Sequence, residues 1–224
     1  MDDGFTGIDI IGACAQQMEF HLIMSNIMTG IENDVTNFMF NLRRNWASPN
    51  AVEFGKNTAT LVNAYLKNIG AYADRIIIDI YESVSDYTRI NGFEGEVNLI
   101  RDTDLENYNI VLYTYTMDAV NHNGQTGMNV RLVEDLINNE LPKIKNNALS
   151  KLESLPASIC IYDETGEQQK AYSTRKNNIR DLVEELLTTI ETEIRTNIET
   201  EKNNILLAKQ QVVQNMSGSS TTNA

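Results

Sequence analysis

Two long stretches of helical periodicity meet at Trp46-Ala47-Ser48-Pro49-Asn50-Ala51-Val52-Glu53-Phe54, and this junction constrains the fold more than any other feature of the chain. Upstream, apolar residues recur at Ile11, Ala15, Met18, Leu22, Met28, Ile31, Val35, Phe38 and Leu42. Downstream they recur at Phe54, Leu61, Tyr65, Ile69, Tyr72, Ile76, Ile80, Val84 and Tyr87. Spacings of three and four place each set on one face of a helix. Between them, the Ser48 hydroxyl can accept from the open N–H groups of a helix start, and Pro49 supplies a first helical residue with no N–H to satisfy. The junction predicts a helical hairpin whose second arm starts at Pro49, with the single tryptophan closing the hinge.

The second half repeats the first. Gly4-Phe5-Thr6-Gly7-Ile8-Asp9-Ile10 returns as Gly124-Gln125-Thr126-Gly127-Met128-Asn129-Val130, an offset of 120 residues that points to a duplicated unit. A third helical face follows at Val133, Ile137, Leu141, Ile144, Ala148, Leu152 and Leu155, with Pro142 predicting a kink or a late helix start. After Pro156 and the turn at Tyr162-Asp163-Glu164-Thr165-Gly166, a last face runs through Tyr172, Ile179, Val183, Leu186, Ile190, Ile194, Ile198, Ile205, Ala208 and Val212. At the 120-residue offset Gly166 stands where Trp46 stood, leaving Tyr162 or Tyr172 to fill the second hinge.

Trp46, Pro49, Ala51 and Phe54 also carry a resemblance to the WXG family of small type VII secretion proteins, in which Trp-x-Gly lies at the tip of a helical hairpin. The family motif commonly continues Gly-Pro-Asp-Ala, with a Phe three residues on. Here Ser48 replaces the glycine and Asn50 the aspartate. Gly7-Ile8-Asp9-Ile10 is similar to the family's opening Gly-x-Asp-Val, and Gly127 with Asn129 would be its second copy. The resemblance covers about residues 4–90 and extends to the second half by duplication. It implies two tandem long helical hairpins packed as an antiparallel four-helix bundle, an all-α fold. The expected organisation is a hairpin over 1–90, a connector over 91–123, a degenerate second hairpin over 124–214 and a disordered tail over 215–224. A short helix is favoured over a strand for 105–116, although its periodicity does not arbitrate.

Composition narrows the function. A net charge of −13 disfavours nucleic acid or an anionic membrane as a partner, since phosphate binding is driven by Lys and Arg. No apolar run approaches the roughly twenty residues that span a bilayer, and the acidic start Met1-Asp2-Asp3-Gly4 lacks the pattern of a cleaved secretory signal. Cys14 is expected to pack on the first helix and Cys160 lies in an apolar loop; nothing in the sequence brings the two together. His21 and His122 belong to no metal-binding or nucleophilic constellation. The carboxylates Glu184, Glu185, Glu191, Glu193, Glu199 and Glu201 lack the Glu-x-x-His pairs of a di-metal bundle.

The expectation is therefore a protein without catalytic turnover, cofactor or metal. The resemblance implies a type VII secretion substrate or a partner or targeting protein. It would bind a secretion-system component or a co-secreted cargo, as a monomer with an intramolecular bundle or as a homodimer. Its location would be outside the cell, reached without a cleaved signal, or the cytoplasm before export. The family's Tyr-x-x-x-Asp/Glu export motif is absent: Tyr81 is followed four positions later by Ser85, with Asp86 next. The alternative is a helical scaffold or coiled-coil partner that is not exported, with a phage gene as one source.

Overall fold

The computed structural model describes residues 7–91, 99–100, 104–107 and 127–218. They form an all-α bundle with one minimal strand pair: α1 (Gly7–Arg43), β1 (Trp46–Ala47), α2 (Pro49–Asn91), β2 (Gly127–Met128), α3 (Val130–Asn139), α4 (Leu141–Glu153) and α5 (Glu167–Gly218). Pro142 near the start of α4 accounts for the break at Glu140. It cannot donate to the preceding turn, so α3 stops and α4 starts afresh on the same course.

Four arms pack in a ring, α1 on α2, α2 on α5, α5 on α4 and α4 back on α1. All four contacts are antiparallel. Gln17 on α1 reaches Ile77 on α2, Arg175 on α5 meets Asp79 on α2, Lys145 on α4 pairs with Glu184 on α5, and Asn41 on α1 bonds Glu140 just before α4. The two hairpins thus lie head to tail, with the Trp46 hinge at one end of the bundle and the 154–166 loop at the other. One buried cluster runs through both, including Phe20, Met24, Ile31 and Phe38 from α1, Leu66 and Ile76 from α2, Leu152 from α4 and Ile190 from α5.

The expected faces of α3 and α4 are buried throughout, from Val133 to Leu155. The lower half of α1 is not as expected. Ile11, Met18 and Leu22 are 72 %, 62 % and 61 % exposed, and Ile10, Ala13, Gln17, Phe20 and Met24 face the core instead. This segment is apolar nearly all round, so periodicity alone could not choose its face, and the buried polar Gln17 concealed the right one. Tyr72, expected inward on α2, is exposed, and so are Ile205 and Val212 on α5.

The connector is described at two short places, both seated on the first hairpin. Gln17, fully buried, donates through Nε2 to the carbonyls of Ile77 (3.0 Å) and Ile100 (2.9 Å) and accepts the Ile100 N–H at 2.7 Å. Five residues on, Leu105 enters the core and its carbonyl lies directly over Gly70, where a Cβ would collide with it. The buried Asp74 carboxylate accepts the Glu106 N–H at 2.7 Å. Residues 104–107 form a bend and turn at the start of the segment for which a helix was favoured; the rest of that segment lies outside the described residues. Helix α5 continues to Gly218, four residues into the tail expected to be disordered.

Candidate interaction site at the Trp46 hinge

Helix α1 closes with Asn45, whose N–H donates to Leu42 O (2.9 Å) and whose amide donates to Asn41 O (3.1 Å). The chain then extends for two residues before α2 begins at Pro49. Ser48 Oγ accepts the Ala51 N–H at 3.3 Å, so the helix start is capped as its residue types require. Trp46, 1 % exposed, lies with its ring centroid 5.6 Å from Phe54, and Ala51 is fully buried beside them. Trp46, Ser48, Pro49, Ala51 and Phe54 therefore form one small unit. The indole N–H has no hydrogen-bond partner among the described residues.

The hinge is also sewn to the second hairpin. Trp46 pairs antiparallel with Met128 and Ala47 with Gly127, and the Asn129 N–H donates to Asn45 O at 2.7 Å. Gly127 has φ of +132°, a conformation that a side chain would strain, and this lets the chain turn from the strand pair into α3. Asn129 Oδ1 accepts the Leu132 N–H at 3.3 Å and caps α3. In the sequence Gly127 and Asn129 stand out only as a repeated signature, since two-residue strands leave no periodic trace. Gly7 and Asp9 lie at the opposite end, in the first turn of α1, so the two copies of the signature are not brought together.

At that opposite end Tyr172 fills the second hinge. It is 1 % exposed, packs edge-on against Phe20 at 6.4 Å, and its hydroxyl donates to Pro156 O at 2.6 Å. Burial pushes its pKa up to about 12. Tyr162 stacks at 5.6 Å on Tyr87. Gly166, with φ of +72°, makes the turn into α5. The loop carries Cys160 onto α1, where its thiol donates to Asp9 O at 3.1 Å and its N–H bonds Gln16 Oε1. Both cysteines are unbridged, and burial raises both thiol pKa values, with Asp9 and Cys14 adding to the effect at Cys160.

A cleft of about 480 Å³ opens between α2 and α5 next to the Trp46 hinge, lined by Asn50, Glu53 and Asn57 on one side and Thr188, Thr192 and Glu193 on the other. Thr188 and Thr192 donate their hydroxyls to the carbonyls four residues earlier. Of the carboxylates along α5, Glu184 pairs with Lys145, Glu191 with Arg195 and Glu199 with Lys202. His21 Nδ1 is buried without a partner among the described residues, and His122 lies outside them. Asp74 near it has its pKa raised, chiefly by burial, against the lowering effect of the Glu106 N–H. Among the described residues no group of three or more His, Cys, Asp and Glu could hold a metal ion. None of their helices is long and apolar enough to cross a membrane.

The class that fold and hinge define is an all-α bundle of two head-to-tail hairpins. Compared with known proteins, the chain matches no family model, no curated protein and no solved structure.

Proposed function

We propose that this protein works by binding other proteins, as a substrate or a partner or targeting protein of a type VII-like secretion system. The observation that carries the reading is the hinge. Of the residues of the resemblance, Trp46, Ala51 and Phe54 are buried together where a long α1 turns into a long α2, and the exposed Pro49 opens α2 beside them. The uncovered stripe Ile11, Ala15, Met18 and Leu22 supports it further, because its spacing offers a partner helix an apolar ridge about three turns long. The partner would be a secretion component or a co-exported cargo. The chain would leave the cell without a cleaved signal.

A scaffold with no role in export is the second reading. It is favoured by the missing Tyr-x-x-x-Asp/Glu motif: Tyr81 has Ser85 at the required position, and Asp86 is paired with Arg89 at 3.0 Å.

The test is export and co-purification from a host with a type VII apparatus, with and without its ATPase. Accumulation in the medium that requires the ATPase, and recovery of an apparatus protein or cargo, is the expected result. Trp46→Ala should cost about 3–5 kcal/mol of stability, the usual cost of emptying a large core site, and should lower export through folding. Export that ignores the ATPase would move the assignment to the scaffold. Unchanged stability with lost binding would make Trp46 a recognition surface.

A further inference from the structure

The cleft of about 480 Å³ between α2 and α5 is lined on both walls by groups that accept hydrogen bonds. Along α5, Thr188, Thr192 and Thr196 follow one another a turn apart, and each hydroxyl already donates to the carbonyl four residues earlier, at 2.8, 2.8 and 2.9 Å. One N–H of the Asn197 amide is committed in the same way, to Glu193 O at 2.9 Å. What this wall keeps for an occupant is therefore chiefly oxygen lone pairs and threonine methyls. Glu53 on α2 and Glu193 on α5 complete the lining. Neither enters an ion pair among the described residues, whereas Glu184, Glu191 and Glu199 on the same α5 each have a Lys or Arg. Each wall carries its glutamate with an asparagine one turn on, Glu53 with Asn57 and Glu193 with Asn197. Because the helices are antiparallel, the glutamate is the nearer of the two to the Trp46 hinge on one wall and the farther on the other.

We propose that this cleft binds a linear aliphatic amine charged at both ends, a diamine or polyamine. Charge rules out an anion, since two unpaired carboxylates face the space. A bare metal ion does not fit either: a hard cation takes six or more converging oxygens, usually with several carboxylates, and no described group of three or more His, Cys, Asp and Glu could hold one. An ammonium is a donor with no acceptor, so it matches a lining whose own donors are largely committed. One glutamate on each wall receives one end. The carbon chain between the two charges lies against the threonine methyls and Phe54, which forms part of the lining. The net charge of −13 raises the local concentration of such a cation and speeds its capture.

The inference is independent of the secretion reading, because it requires neither export nor a protein partner. Spermidine titrated into the full-length protein at physiological salt should saturate at one molecule per chain. Calorimetry reads this directly, and so does the emission of Trp46, the single tryptophan, which stacks on Phe54. Glu53→Gln and Glu193→Gln keep the shape of the lining and should each weaken binding about 10-fold or more, the usual worth of a hydrogen bond to a charged group. Glu19→Gln removes the same single charge from an exposed position on α1 and should leave binding unchanged. Butylamine, charged at one end only, should bind at least 10-fold more weakly than spermidine. All three variants should unfold at the wild-type temperature, since none of these side chains belongs to the core. Binding that never saturates, or that falls equally in all three variants, would reduce the effect to counterion attraction and overturn the proposal. So would butylamine binding as well as spermidine.

Discussion

Tyr172 holds its phenol in the core at the second hinge, with Pro156 O as its acceptor. Burial raises its pKa to about 12 from an ordinary 10. A raised acid pKa means that the neutral form is favoured in the folded state. Its contribution is therefore complete below pH 10 and is lost as pH climbs from about 10 to 12. The linked loss is about 2–3 kcal/mol. Urea unfolding at pH 8 and pH 11 should show that the wild type falls further than Tyr172→Phe, which pays about 1 kcal/mol for the lost hydrogen bond at both. Equal falls would mean that the phenol is solvated. Local chemistry of this sort was readable where it acts within a few residues, as at Ser48 and Pro49. Gln17 and Gly127 were not readable, because their partners Ile100 and Ala47 lie 83 and 80 positions away.

At the scale of elements, α2 carries the clearest device outside the hinge, the seat for residues 104–107. Gly70 is a helix-interior glycine, where alanine would ordinarily gain about 1 kcal/mol. Here the added methyl meets the Leu105 backbone, which cannot swing aside as a side chain would. Gly70→Ala should therefore destabilise by about 1–3 kcal/mol. It should also speed hydrogen exchange at the Ile100 and Glu106 amides, the two held by Gln17 and Asp74. A stabilised variant with unchanged exchange would show that the seat is loose. The sequence announced α2, α4 and the buried part of α5 through strict spacing, and the break at Pro142 through the missing N–H. It misjudged α1 because Ile10, Ile11, Ala13, Cys14, Ala15, Met18 and Leu22 satisfy more than one face.

Across the whole molecule, one buried cluster joins both hairpins, and each large apolar side chain in it contributes about 1.5–3 kcal/mol. Neither hairpin keeps that cluster alone. Thermal unfolding followed by Trp46 fluorescence, which reports one end, and by circular dichroism, which reports all helices, should give coincident transitions. Separate midpoints would mean that the hairpins are independent units. The all-α bundle was legible from two duplicated hairpins, but their head-to-tail setting was not, since it depends on contacts between residues far apart in sequence, such as Leu105 over Gly70 and the strand pair of Trp46 with Met128.

That setting has a mechanical consequence. Helix α1 begins at one end of the molecule and α5 leaves at the other, running in the same direction across the diagonal. A load applied between the first turn of α1 and the last turns of α5 therefore draws each along its own axis, in shear. The contacts from Tyr172 to Ile198 then resist together, whereas a load across the hinge would part them one turn at a time. Any machine that pulls this chain by its ends meets the bundle in its toughest direction, and one that grips it at the Trp46 hinge meets its weakest.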